Sequence, residues 1–285
     1  MRTTLLAMAL VATPSLIAQQ TVIKPFQESP AATVTQDLGI STVKIEYHRP
    51  SVKGRKIWGA VVPFGEVWRT GANDATVITF SDPVTIGGQN LAAGAYALFA
   101  IPGPEAWTLI LNKQAKQWGA YGYKPAEDAL RLQVKPRTAP FQESLGFTLQ
   151  VAAPDRLQVT LGWENLAVGF DVTLDARGLY WAYLERTLAG VKPEEWAPWS
   201  QAASYCLAAN VHLDQAMAWV DQSLKVKETA RNLEVKARLL DKAGRTREAL
   251  PFLQKALALG TAAKAPKEAL AGLEKTLADW TQKTK

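Results

Sequence analysis

The sequence is poor in the residue types that cross-link small domains through disulfides or bind metal ions. Its 285 residues include one cysteine, Cys206, and two histidines, His48 and His212. One thiol cannot build a disulfide framework, and these three side chains cannot supply a Cys/His zinc cluster or a three-histidine site. Gly-x-Ser-x-Gly, His-Glu-x-x-His, Cys-x-x-Cys and phosphate-loop motifs are also missing. The sequence therefore predicts no metal and no cofactor, and it lacks the signatures of the common enzyme classes.

Long hydrophobic runs are absent as well. The first 18 residues combine a cation at Arg2, a short apolar run from Leu5 to Ala12, and a small residue at Ala18. This order is typical of a secretory signal peptide, and the run is shorter than the roughly 20 residues that a spanning helix needs. We expect residues 1–18 to be a signal peptide, the mature protein to be periplasmic or secreted, and no membrane span to be present.

The sequence as a whole has no large excess of charge of one sign. The formal net charge is +6, with 20% charged and 48% hydrophobic residues. This composition is typical of globular proteins, and the length favours two domains. Most of the basic excess lies after Asp175, where cations and acids are interspersed as on the solvated faces of helices. We therefore expect no nucleic-acid partner.

Between about residues 33 and 174 the apolar residues alternate with polar ones. Examples are Val43 to Tyr47, Leu130 to Val134, Leu157 to Trp163 and Val168 to Leu174. A period of two predicts strands with one wet face, and turn-forming clusters such as Pro102-Gly103-Pro104 separate the candidates. With eight or more short strands and no crossover helix, we expect residues 19–174 to form an antiparallel β-sandwich or jelly-roll-like domain.

After Asp175 the hydrophobic period becomes that of a helix, as in Leu250, Leu253 and Leu257. Segments 214–220 and 247–253 are related by a shift of 33 residues. Their small residues resemble those of tetratricopeptide repeats, although the first copy has Ser223 where the second has Ala256. We expect residues 175–285 to form TPR-like helical hairpins that mediate protein contacts; a plain helical bundle remains the alternative.

The most distinctive motifs are the segments 47–59 and 62–76, followed by Trp107-Thr108-Leu109-Ile110 and Trp163-Glu164. Together they resemble the bacterial DUF2911 family of exported proteins of unknown function, over roughly residues 30–174. The resemblance implies a β-sandwich domain, often with a helical tail, and no established reaction. His48 departs from the family pattern, which argues against a family-wide catalytic role for this side chain.

The same region mixes cations with aromatic residues. An arginine can hold a carboxylate or phosphate through two hydrogen bonds, and an indole can stack on a sugar or a guanidinium. We therefore interpret the domain as a non-catalytic module that binds an anionic or carbohydrate-like ligand. The candidate binding residues are Arg49, Lys53, Arg55, Trp58, Trp68, Arg69, Asn73 and Trp118.

Two other interpretations stay open. A periplasmic hydrolase or isomerase could use a pair of carboxylates among Asp74, Asp128, Glu143 and Glu164. A structural or assembly protein would instead bury Arg49 and Arg69 in ion pairs with Asp74, Asp128 or Glu164. We expect this pairing for Arg69. We also expect Arg55 to face the ligand, and Trp107 and Trp163 to lie in the core.

Overall fold

The structure is a computed structural model that describes residues 26–285; the predicted signal peptide lies outside the described residues. The described part contains ten strands and six α-helices. The strands are β1 (Ala31–Leu38), β2 (Ser41–His48), β3 (Thr76–Phe80), β4 (Val84–Ile86), β5 (Gln89–Leu91), β6 (Gly94–Ile101), β7 (Trp107–Asn112), β8 (Asp128–Val134), β9 (Arg137–Ala153) and β10 (Arg156–Thr173). The helices are α1 (Ala176–Ala189), α2 (Ala197–Ala209), α3 (Leu213–Val226), α4 (Ala230–Lys242), α5 (Thr246–Ala262) and α6 (Lys267–Lys283).

The strands form two antiparallel sheets. One sheet has the order β1-β2-β3-β6-β7-β8 and the other has the order β5-β4-β10-β9. One hydrophobic core draws residues from both sheets, among them Ile45 and Trp107 from the first sheet and Leu157 and Val172 from the second. The predicted fold class, a β-sandwich followed by helices, is therefore confirmed.

Strands β6 and β7 are buried along nearly their whole length. Their second face forms a smaller core in which Phe99 and Ile110 pack with Ala75 and with Tyr123 from the β7–β8 connection. The rings of Phe99 and Tyr123 meet edge to face at 5.3 Å. Continuous apolar runs are typical of strands that are covered on both faces, and here loops cover the second face of β6 and β7.

The longest strands are β9 and β10, which pair as one hairpin. The sequence predicted separate strands over 157–163 and 168–174, but β10 runs through both. The pairing register shifts on either side of Glu164, which has a positive φ of 54°. Because a β-bulge changes which residues face the core, it interrupts the alternation without ending the strand.

Two strands, β1 and β5, have no clear hydrophobic pattern in the sequence. β1 pairs with β2 although it carries Gln36 and Asp37. β5 begins at Gln89, because Gly87 and Gly88 alone make the reversal between β4 and β5. Edge strands have one free side and tolerate polar residues, so their hydrophobic pattern is weak.

The strands end at Thr173 and the helices begin at Ala176, where the hydrophobic period changes. The helices have cores of their own, one around Ala216 and Val220 and another around Ala249 and Leu253. Burial raises the pKa of the Cys206 thiol, as expected of an inert core cysteine. Among the described residues, none of the helices combines the length and hydropathy that crossing a bilayer requires.

The serine that departs from the repeat pattern has a specific role. Ser223 is fully buried, donates to Trp196 O at 2.9 Å, and accepts from Asn232 Nδ2 at 2.9 Å. Asn232 also donates to Lys227 O at 2.7 Å, and its Oδ1 accepts from Thr229 N at 2.8 Å in a capping box that starts α4. The buried hydroxyl of Ser223 thus has its hydrogen bonds satisfied. Through its bond with Asn232 it joins α3 to the start of α4.

We expect Asn232→Ala to lower the free energy of unfolding by about 2–4 kcal/mol, because it removes the capping box and leaves buried polar groups without partners. Urea denaturation followed by far-UV circular dichroism measures this loss. Gln254→Ala, on the exposed face of α5, is the matched helical control and should change little. Equal effects of the two substitutions would show that the network contributes nothing.

Candidate functional site

The segment between β2 and β3 is hydrogen-bonded to both sheets. Near its start, Val52 N donates to Glu143 O of β9 at 2.8 Å, and Leu145 N of β9 donates to Pro50 O at 2.9 Å. Further along, Trp68 and Ala100 of β6 exchange two backbone hydrogen bonds of 2.8 Å. The segment therefore crosses from one sheet to the other, and its side chains stand at fixed positions relative to both.

A cleft of about 270 Å³ lies along this segment. Its walls come from the β2–β3 segment, from the residues before β1, and from Trp163 of β10. The lining residues are Glu28, Ser29, Pro50, Ser51, Lys53, Arg55, Val61, Val62, Trp68, Arg69, Gly71, Ala72 and Trp163. We call this the Arg69 cleft.

Four tryptophans pack together beside the cleft: Trp58, Trp68, Trp107 and Trp163. Five of the six pairs of rings have centroids 4.9–6.2 Å apart, and Trp68 stacks on Trp163 with an interplanar angle of 17°. Trp107 and Trp163 are core residues, as predicted. Trp58 is only 8% exposed and does not line the cleft, so it supports the cleft from inside the core. Trp68 is half-buried and forms part of the wall.

Arg69 has no acidic partner in the described chain. Its Nε is buried without a hydrogen-bond partner among residues 26–285, and no described carboxylate lies within 4.0 Å of its guanidinium. The expected pairing with Asp74, Asp128 or Glu164 is therefore wrong. Asp128 instead accepts from Arg131 Nε at 2.8 Å and from the Tyr123 hydroxyl at 2.8 Å.

The residue after Arg69 has a strained backbone. Thr70 is fully buried with φ of +51°, a region that β-branched residues rarely adopt. Its hydroxyl donates to Leu98 O at 2.8 Å, and the Thr76 hydroxyl donates to Thr70 O at 3.0 Å. Such strain costs about 1–3 kcal/mol and is concentrated at functional sites. The fold maintains this conformation at the residue that follows the cleft arginine.

Arg55 is held by the turn that carries it. Its Nε donates to Val52 O at 3.0 Å and its Nη2 to Ser51 O at 2.6 Å. The expected division of roles, with Arg55 free for ligand and Arg69 fixed in an ion pair, does not match these contacts. Arg55 lines the cleft but uses two donors on the backbone, whereas Arg69 keeps its Nε unused.

Two carboxylates contact Lys53. Glu28 Oε2 lies 2.7 Å from Lys53 Nζ, and Glu143 Oε1 accepts from Lys53 N at 2.9 Å. The hydrogen bond and charge of Lys53, with a smaller effect of Arg55, lower the pKa of Glu28. Glu28 is therefore ionised at neutral pH and places one negative charge beside the cations Lys53, Arg55 and Arg69.

The remaining candidate residues lie around the cleft, not in its lining. Arg49 Nε donates to Leu145 O at 2.8 Å, which ties the start of the segment to β9. Asn73 donates to Ser29 O at 3.3 Å and accepts from Gly119 N at 3.0 Å, so it joins three segments of chain. Trp118 is 59% exposed and lies in the β7–β8 connection.

Sequence reasoning missed the contribution of the residues before β1. Glu28 and Ser29 line the cleft, although they precede the first strand and belong to no motif that we recognised. It also missed Tyr121, which is 86% exposed and, like the Arg69 guanidinium, lies close to Gly119. The cluster of glycines and aromatics in 117–123 is the one signal that could have pointed to this region.

The profile of the family described as "Protein of unknown function (DUF2911)" matches residues 29–172. The chain belongs to this family. The match covers the sandwich except Thr173, the last residue of β10, and every residue that lines the Arg69 cleft except Glu28. Comparisons with curated proteins and with solved structures found no match. The DUF2911 assignment confirms the resemblance seen in the sequence and supplies no activity.

We expect Trp58→Ala to lower the free energy of unfolding by about 3–5 kcal/mol, because it opens a cavity among the four tryptophans. Trp118→Ala removes an exposed ring and should cost less than about 1 kcal/mol. Urea denaturation of both variants measures the difference. A small loss for Trp58→Ala would mean that this indole is not a structural support of the cleft.

We expect Glu28→Gln to raise the affinity for sulfate about two- to fivefold at neutral pH, because an exposed ion pair no longer occupies Lys53. In the wild-type protein the affinity should rise as pH falls through the lowered pKa of Glu28, since protonation removes the competing carboxylate. The variant should lack this rise. Isothermal titration with sulfate, which stays ionised at these pH values, measures both effects.

Glu105→Gln is the control, because Glu105 is exposed and does not line the cleft. If Glu28→Gln binds sulfate no better than Glu105→Gln, Glu28 does not compete for the cleft cations.

Proposed function

We propose that this DUF2911 domain is a non-catalytic module that binds an anionic or carbohydrate-like ligand in the Arg69 cleft. The observation that carries the proposal is Arg69 itself, a cleft-lining cation with a buried Nε and no acidic partner in the described chain. The guanidinium lines the cleft without an acidic partner, so its charge and its other donors are available to a bound anion. Three cations and one carboxylate in the lining leave a net positive charge that favours anions.

The shape of the guanidinium specifies the kind of anion. Arginine presents a planar fork that matches a carboxylate or a phosphate through two hydrogen bonds. Ser29 and Ser51 add polar groups to the lining, and Trp68 adds an aromatic surface. This combination suits a ligand that carries one acidic group on a polar body, such as an acidic sugar.

A hydrolase or isomerase is the second candidate, because Glu28 and Glu143 both contact Lys53. A carboxyl group that acts as general acid needs a raised pKa, whereas that of Glu28 is lowered. The contacts therefore support binding better than acid–base catalysis. A purely structural role for the arginines would require paired guanidinium groups, and Arg69 does not fit that requirement.

The helical part supports a second proposal, a TPR-like tail that contacts protein partners. Ala237, Ala249 and Ala256 are fully buried, as small residues between closely packed helices are. The pairs α2–α3 and α4–α5 make extensive contacts. The N-terminal sequence supports export to the periplasm or beyond; cleavage after Ala18 would leave Gln19 as the first residue of the mature chain.

We expect Arg69→Met to lower the affinity for glucuronate about 10- to 100-fold, because it removes charge-assisted hydrogen bonds to the carboxylate. The unfolding midpoint without ligand should fall little, since the arginine has no acidic partner to lose. Thermal unfolding with and without ligand measures both, since a ligand at a hundredfold its Kd adds about 2.7 kcal/mol.

Arg156→Met is the matched control, because Arg156 is exposed at the start of β10, away from the cleft lining. Glucose, which has no charge, tests whether the carboxylate is needed. Equal affinities of the wild type and Arg69→Met for glucuronate would refute the proposed role of Arg69. A large loss of stability in Arg69→Met without ligand would instead support the structural role.

A further inference from the structure

Tyr121 and the guanidinium of Arg69 both lie close to Gly119. A Cβ built on Gly119 would lie 3.6 Å from Arg69 Nη1 and 2.9 Å from Tyr121 Cε2, so both groups approach the same point. Gly119 has φ of +61°, and a side chain there would collide with the tyrosine ring. The glycine thus allows an aromatic ring to lie next to the cation of the cleft. With 86% of its surface exposed, Tyr121 contributes little to the core.

The segment that carries Tyr121 is tied to the cleft by backbone bonds. Ala75 N donates to Gln117 O at 3.0 Å, and Gly119 N donates to Asn73 O at 3.0 Å. Trp118 lies between these two bonds, forms an isolated bridge with Asp74, and is 59% exposed. The backbone around Trp118 is therefore fixed against the segment that follows Arg69, and the exposed side chains of Trp118 and Tyr121 lie on this part of the chain.

The lining favours a ligand that both donates and accepts hydrogen bonds. Lys53, Arg55 and Arg69 are donors, whereas Glu28 is an ionised acceptor, and the hydroxyls of Ser29 and Ser51 can do either. Sugar hydroxyls satisfy both kinds of group. A phosphodiester backbone offers acceptors alone, so it leaves the Glu28 carboxylate without a donor.

Resting on the proposed function, we infer that the ligand is an acidic oligosaccharide that extends beyond the cleft. One uronate residue places its carboxylate on Arg69, and the adjoining sugar ring packs on Tyr121 and Trp118. Aromatic rings bind the apolar faces of such rings, and the neighbouring cation fixes the register of the acidic group. The aromatic pair is thus a second subsite, adjacent to the first.

The test compares galacturonate with trigalacturonate by isothermal titration. In the wild-type protein we expect the trimer to bind about tenfold more tightly than the monomer, because it adds aromatic contacts. Tyr121→Ala and Trp118→Ala should each remove most of this gain. Phe141→Ala is the control: Phe141 is also 59% exposed, lies on β9 away from the cleft lining, and should alter neither affinity.

The possible failures are distinguishable. If galacturonate and trigalacturonate bind equally well, the second subsite is refuted and the anion site stands. If neither binds and sulfate does not bind either, the proposed function fails. If the uncharged trisaccharide xylotriose binds as tightly as trigalacturonate, the role of the carboxylate is refuted. If oligothymidylate or an oligoaspartate peptide binds more tightly than trigalacturonate and needs Tyr121, the glycan assignment is overturned.

Discussion

The attachment of the β2–β3 segment to both sheets determines the geometry of the cleft. Pro50 and Val52 bond to β9, and Trp68 bonds to β6, so the chain between them cannot move independently of either sheet. The tryptophan cluster fills the space below this crossing with large rigid rings. A loop fixed in this way can hold charged side chains at defined positions, which a free surface loop cannot do.

This rigidity allows two locally unfavourable features to persist next to each other. Thr70 has a backbone conformation that threonine rarely adopts, and Arg69 buries a donor without a partner. Either feature alone would favour rearrangement of a flexible loop. Here the bonds of Thr70 to Leu98 and Thr76 oppose such rearrangement. The cleft thus resembles other preorganised sites, in which the scaffold supplies the free energy that local geometry costs.

The sequence predicted the two sheets, the change to helices and the part of the chain that lines the cleft, because these depend on periodicity and on local clusters of residue types. It did not predict the partners of Arg69 or Arg55, because a cation's partner depends on which distant segments meet in space. Asp128 illustrates this point: its partners Tyr123 and Arg131 are close in sequence and compete with any distant arginine. Glu28 was missed because its role requires the chain before β1 to lie along the cleft, which no pattern in that segment indicates.

The placement of Glu28 bears on selectivity. Its carboxylate is already bonded to Lys53, so an anion that binds Lys53 must displace an intramolecular competitor that is present at effectively high concentration. A small inorganic ion gains little from this exchange, because the exposed pair that it replaces is itself weak and equally well solvated. A larger ligand that reaches Arg69, hydrogen-bonds to Glu28 through a hydroxyl and contacts Tyr121 need not displace the pair at all. The competing acid would therefore discriminate against free anions and favour acidic groups attached to a larger polar body.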